Sequence, residues 1–140
     1  PLLIWFSDNI TNFDLRDDVS QFSDGAILLT REVENPNDFG IAVFKNETIV
    51  DVIEKPEKPV GNLAIGGIYI FDEQFWQRLD SVQDSVDFSI SDVTRQYLLE
   101  GKARIISVGE NTWIDCGTPE NLQRAAEMVE AGMFTIRGEI

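Results

Sequence analysis

An α/β fold built on a mixed sheet is the class this sequence predicts, and three observations predict it. Apolar stretches of strand length at residues 2–7, 25–33 and 63–72 alternate with stretches of helical spacing at 73–82, 91–102 and 118–132. Two more strand-like stretches, 39–45 and 48–56, flank Asn46-Glu47 and read as a hairpin, which is antiparallel by construction. The remaining connections are long, as crossovers between strands require. With 140 residues, the chain is expected to form one domain, residues 1–140, with a real core.

Taken in order, "LLIWFS" (2–7) is a continuous apolar run suited to a strand buried on both faces. "SDN" closes it, with Asp8 and Asn9 favouring a loop. A short helix is expected near residues 15–22, and "GAILLTREV" (25–33) is a second buried strand. Loops fall at 34–38 and 57–62, on either side of the hairpin. The strand "LAIGGIYIFD" (63–72) carries two glycines in its middle, and a glycine pair there marks the close approach of a ligand or of another backbone. The 91–102 helix has Ser91 as its cap and Gly101 as its stop. Strands at 103–109 and 112–116 lead to a final helix that Thr118 caps and Pro119 begins. Leu122, Ala125, Ala126 and Val129 share one face of that helix and are assigned to the core, as is "FWQRL" (75–79). The tail from 133 to 140 fits no single pattern.

Composition narrows the function classes. A net charge of −14 argues against nucleic acid and anionic membrane as partners, since both need clustered Lys and Arg. It is compatible with phosphate bound through a divalent cation, although a solvated acidic surface accounts for most of it. Histidine is absent, so neither a histidine-based dyad nor a histidine-bound zinc is available, and acid–base chemistry would fall to carboxylates or lysine. The single Cys116 forms no internal disulfide and suits a reducing cytoplasm. No apolar run reaches the length of a membrane span.

Asp8, Glu54, Lys55 and Asp115 all fall at predicted strand ends, where open α/β sheets bind ligands. Two aspartates far apart in sequence can converge on one cation, and magnesium commonly takes one or two carboxylates and completes its shell from phosphates and water. Read singly, Asp8 caps the short helix and Asp115 braces the turn at Gly117. Glu54 and Lys55 end a strand at Pro56: a carboxylate accepts from vicinal sugar hydroxyls and an ammonium is a point charge for phosphate, or the two form a surface ion pair. Gly40, Gly66 and Gly67 either admit a sugar or phosphate to the backbone or serve turns and packing. Trp113 reads first as core and second as a sugar-stacking ring.

"SDNI" (7–10), "FGIAVF" (39–44), "VIEKPEKPVGN" (52–62), "GGIYIFD" (66–72), "ISDVTRQYLLEGK" (90–102) and "TWIDCGTPENL" (112–122) occur in an order that resembles the second half of a sugar-1-phosphate nucleotidyltransferase, closest to the glucose-1-phosphate thymidylyltransferase type. The resemblance covers nearly the whole chain. It implies a Rossmann-like α/β domain and a magnesium-dependent reaction that joins a nucleoside triphosphate to a sugar 1-phosphate and releases pyrophosphate. Asp8 matches the aspartate of the family's Gly-Asp-Asn segment and Asp115 that of Trp-Leu-Asp-Thr-Gly, both implied magnesium ligands. Glu54 and Lys55 match Glu-Lys-Pro, which contacts sugar hydroxyls and phosphate, and Gly40, Gly66 and Gly67 match small residues lining the sugar site. Ser7, Gly66, Ser89 and Cys116 depart from the residues usual at their positions.

The family's glycine-rich loop with Gly-Thr-Arg, which holds the triphosphate and base, has no counterpart in these 140 residues. The expectation is therefore the sugar- and metal-binding portion of an incomplete nucleotidyltransferase domain, inactive alone, with a sugar 1-phosphate or nucleotide-sugar as ligand. A non-catalytic remnant or binding module is the alternative. The strand at 2–6 would then be an exposed apolar edge, covered by a second copy of the chain or by an N-terminal partner segment.

Overall fold

The sheet is organised around β6 (Leu63–Phe71), whose nine residues carry no charge and are buried almost end to end. β6 is flanked on both sides. β3 (Ala26–Glu32) runs along one side, while β4 (Gly40–Lys45) meets the other near its start and β1 (Leu2–Trp5) near its end. β5 (Thr48–Glu54) extends the sheet beyond β4, and β7 (Ala103–Ser107) beyond β3. β3 and β7 are parallel and the other pairs antiparallel, so the sheet is mixed, as the sequence predicts. A separate two-stranded ladder joins β2 (Asn9–Thr11) to β8 (Trp113–Asp115). This is a computed structural model, and it describes residues 1–84 and 86–134. Most of the ambiguous tail, residues 135–140, lies outside the described residues.

Period-two geometry sends alternate side chains to opposite faces. Ala26 and Leu28 join Tyr69 and Phe71 in one cluster, under Phe75, Val93, Tyr97 and Leu98 of the helices. Ile27 and Leu29 join Ile68 and Ile70 in a second cluster with Leu15, Val108 and Trp113. α2 (Phe75–Val82) and α3 (Ile90–Leu99) thus cover one face, and the segment around α1 (Arg16–Ser20) with β8 covers the other. A buried polar network ties α2 and α3 to the end of β6: Asp72 accepts from Gly25 N (2.8 Å), Gln74 N (3.0 Å) and the Tyr97 hydroxyl (2.7 Å). Arg78 lies 4.1 Å from the Tyr97 ring centre and grips Glu100 with two hydrogen bonds of 2.7 Å.

The turn chemistry follows the sequence at several points. Asn46 and Glu47 both adopt left-handed φ (49° and 64°), as a two-residue hairpin requires. Gly101 stops α3 at a φ of 66°. Thr118 caps α4 (Pro119–Glu130) by accepting from Asn121 N at 3.2 Å.

Five readings are corrected. β1 is not buried on both faces: Leu2 and Ile4 pack on the core, whereas Leu3 (46%) and Trp5 (42%) stand exposed, because β1 has helices over one face only. "SDN" is only half a loop, since Asn9 opens β2. The cap of α3 is Ser89, in a reciprocal box with Asp92, and Ser91 is instead buried inside the first turn. Within "FWQRL", Phe75 and Arg78 go inside but Trp76 is 58% exposed. The last helix buries only Ala125 of its apolar face; Leu122 stays 59% exposed because α4 packs on the short β8 rather than on the main sheet. Among the described residues no helix is long and apolar enough to cross a membrane.

Candidate functional site

A cleft of about 500 Å³ opens where β4 begins, β5 ends, β6 slips register against β3 and α3 starts. At one part of its wall, Gly40 and Glu54 are partners across the β4–β5 ladder. Glu54 Oε2 accepts a long hydrogen bond from Ser91 Oγ (3.4 Å). The next residue, Lys55, is bonded through its N–H to Phe39 O (2.9 Å) and has a φ of 42°. That left-handed step is unfavourable for a lysine, and it breaks the strand alternation. Consecutive Glu54 and Lys55 therefore both line the cleft, where a regular strand would have sent them apart.

The aspartates reach the same cleft from the β2–β8 ladder. Asn9 pairs with Asp115, and Cys116 N donates to Asp8 O at 2.6 Å. A Cβ placed on Gly117 would lie 2.9 Å from Asp115 Oδ1 and 3.5 Å from Asp8 Oδ2, so both carboxylates crowd one point beside that glycine. Asp115 also braces the turn, accepting from Gly117 N (2.8 Å). Burial first, and then the charges of Asp115 and Asp8, push the Cys116 thiol up. Burial likewise lowers the guanidinium of Arg31, which Asp115 partly offsets; Arg31 stacks between Phe39 and Trp113 and donates to Trp113 O at 3.1 Å.

The glycine pair is explained by protein packing. Between Leu28↔Tyr69 and Thr30↔Ile65, three residues of β6 stand opposite one of β3, so Gly66 and Gly67 lie in a bulge. A Cβ on Gly66 would sit 1.5 Å from the Trp113 ring, and one on Gly67 2.7 Å from Asn9 Nδ2 and Phe6 Cβ. Both glycines still border the cleft, but Trp113 is buried behind it and forms no part of its lining.

Asp8, Gly40, Glu54, Lys55, Gly66, Gly67 and Asp115 are thus brought together, and Trp113 is not on that surface. Sequence reasoning passed over Asn9, Asp38, Phe39, Tyr69 and Ser89, which share the lining. Tyr69 was findable, being two residues from Gly67 on one strand. Its hydroxyl is pushed upward by burial and by the Glu54 charge, so it stays neutral. Nothing in the sequence pattern signals Asp38.

Charge decides what the cleft can hold. Its lining has the carboxylates of Asp8, Asp38, Glu54 and Asp115 against the single ammonium of Lys55. A phosphate entering alone would meet a net negative wall, so a divalent cation is the natural companion. Among the described residues no group of three or more metal-binding side chains gathers. Two carboxylate oxygen donors fit magnesium, which commonly completes its shell from phosphate and water.

The profile of the family described as nucleotidyl transferase matches residues 1–132. The low-salt glycan biosynthesis nucleotidyltransferase Agl11 of Haloferax volcanii is 32% identical over 133 residues, covering 91% of this chain and 37% of that protein. A glucose-1-phosphate thymidylyltransferase of Neisseria meningitidis serogroup A is 33% identical over 110 residues, covering 76% of this chain and 38% of its own length. A crystal structure from Bacillus anthracis, provisionally named a glucose-1-phosphate thymidylyltransferase and solved with a sucrose, superposes with a TM-score of 0.84 at 29% identity. It covers 99% of this chain and 56% of that one. The chain therefore spans less than two fifths of the length of the two curated relatives.

Proposed function

The chain belongs to the nucleotidyl transferase family, and from that premise we propose that its cleft is the sugar-phosphate and metal part of an enzyme of sugar-nucleotide biosynthesis. The reaction is transfer of a nucleotidyl group from a nucleoside triphosphate, with dTTP as the first candidate, to a sugar 1-phosphate, with glucose 1-phosphate as the first candidate, releasing pyrophosphate. One observation carries the reading: the Glu54–Lys55 pair and the Asp8–Asp115 pair open into the same cleft.

Each residue then has a physical task. Glu54, tethered by Ser91, accepts hydrogen bonds from vicinal sugar hydroxyls. Gly40 keeps the space beside Glu54 open, since a side chain there would collide with its carboxylate. Lys55 offers its ammonium to the sugar phosphate, and the left-handed backbone keeps it beside Glu54. Asp8 and Asp115 would hold Mg2+, which supplies charge neutralisation and orientation to the reacting phosphates. Gly66 and Gly67 let Trp113, Phe6 and Asn9 pack tightly behind that pair. Residues 1–140 act as one unit, the sugar- and metal-binding portion of the catalytic domain.

Calorimetric titration with dTDP-glucose, with and without Mg2+, tests the reading on wild type, Asp115→Asn and Lys55→Ala. Magnesium-dependent binding in wild type that both variants weaken supports it. Sugar-nucleotide binding that ignores Mg2+ and survives Asp115→Asn favours a binding module without a metal site.

A further inference from the structure

Asn9 is a buried polar residue with a task that neither the ladder nor the cleft lining explains. It is 7% exposed, and both ends of its carboxamide are engaged. Oδ1 accepts from the Trp113 indole Nε1 at 2.7 Å, and Nδ2 donates to Asp8 Oδ1 at 2.8 Å. The amide orientation is fixed by chemistry, because an indole N–H can only donate and a carboxylate can only accept. The backbone of Asn9 is fixed as well. Its N–H donates to Phe6 O at 3.0 Å, its carbonyl accepts from Trp5 Nε1 at 2.9 Å, and it pairs with Asp115 across the ladder. Gly67 makes the room that the amide occupies, since a Cβ there would stand only 2.7 Å from Nδ2.

We propose that Asn9 is the positioning residue of the Asp8–Asp115 pair, an inference that rests on the metal-site reading above. Held between Trp113 and Asp8, its amide locks the rotation of the Asp8 carboxylate. Oδ1 is taken up by the amide, and Oδ2 is left at the point beside Gly117 that Asp115 Oδ1 also approaches. Trp113 is thereby linked to the cleft through hydrogen bonds rather than as a stacking surface. The indole sits in the space that Gly66 vacates, and its N–H anchors the amide. Such outer partners set the orientation of metal-binding groups, and their loss typically lowers metal affinity by about 10- to 100-fold.

The test is Mn2+ affinity, followed by water-proton relaxation with dTDP-glucose present, on the full protein as wild type, Asn9→Ala, Trp113→Phe and Asp8→Asn. All measurements are made well below the melting temperature of each variant, so that a loss of stability alone leaves the affinity unmoved. Asn9→Ala is expected to bind Mn2+ about tenfold or more weakly. Trp113→Phe, which keeps a ring but loses the N–H, is expected to fall between it and wild type. If Asp8→Asn loses Mn2+ while Asn9→Ala holds it as wild type does, the positioning role is overturned and the metal reading stands. If wild type holds Mn2+ no better than Asp8→Asn, the metal reading falls and the positioning role with it. Should Asn9→Ala fail to fold, Trp113→Phe decides alone: wild-type affinity there overturns the proposal, and weakened affinity supports it.

Discussion

Gly40 faces Glu54 across the β4–β5 ladder so closely that a methyl group on Gly40 would stand 2.9 Å from Glu54 Oε2. The atom met is the tip of a flexible side chain, so Gly40→Ala should be tolerated by the fold, shifting stability by less than ~1 kcal/mol. The carboxylate must swing away, however, and its bond from Ser91 with it. Affinity for dTDP-glucose should fall about tenfold while the chemical-denaturation midpoint barely moves. Unchanged affinity would remove Glu54 from the sugar contacts.

Lys55 occupies a left-handed backbone conformation, with a φ of 42°. Lys55→Gly should therefore raise stability by about 1 kcal/mol while weakening binding of dTDP-glucose. Lys55→Ala should lose binding without that gain. Denaturation curves of the two variants, set beside their ligand titrations, separate strain from charge.

Gly66→Thr forces a side chain into the place of the Trp113 ring, where a Cβ has 1.5 Å of space. The expected cost is about 1–3 kcal/mol of stability. The displaced indole should lose its bond to Asn9, which a shift in tryptophan emission would reveal against a Trp5→Phe, Trp76→Phe background.

Acid should weaken the fold through the network at the far end of β6. Hydrogen bonds from Arg78 first, and then the Lys102 ammonium, hold the Glu100 carboxyl down, from an ordinary 4.5 to about 2. Burial alone would raise Asp72, but bonds from Tyr97, Gly25 and Gln74 outweigh it and hold it below its ordinary value. A carboxylate depressed in the folded state contributes stability above its unfolded pKa and loses it as pH falls to the folded one. Stability should thus decline from about pH 4.5 towards pH 2. In Arg78→Met the Glu100 part of that slope should shrink to the share that Lys102 supplies, as thermal melts across the range would show.

β1 is bonded to β6 on one side, and Leu3 and Trp5 stand exposed on it. Such an edge invites pairing. The 140-residue chain should self-associate in light scattering as its concentration rises, and Trp5→Lys should reduce the association. A wild-type chain that stays monomeric at high concentration would refute this.

Much of the fold was legible because each main element carries its own local signal. The β6 run has no charge, the Asn46-Glu47 hairpin has its turn, and Thr118-Pro119 and Gly101 mark helix ends. What the sequence hid depends on tertiary neighbours. Trp76 and Leu122 have core composition, yet among the described residues no layer covers them. Ser91 reads as the cap in the sequence, but the reciprocal bonding of Ser89 with Asp92 starts the helix two residues earlier. Strand-end position singled out Asp8, Glu54, Lys55 and Asp115, which the fold brings to one cleft. The bulge that sets Gly66 against Trp113, and the amide between Trp113 and Asp8, arise from contacts between distant segments that no local pattern encodes.

The β2–β8 ladder also fixes when the aspartate pair can exist. Asn9 and Trp113 are 104 residues apart, so the pair forms only after the long stretch between them has been gathered into one loop. Closing so long a loop is repaid only once the sheet between its ends is in place. Order of assembly then follows from topology: the hairpin and its cleft-lining Glu54 can form early, from neighbours in sequence, whereas the carboxylates at residues 8 and 115 meet last. On a ribosome, a nascent chain would present the Glu54–Lys55 corner well before its two aspartates could meet.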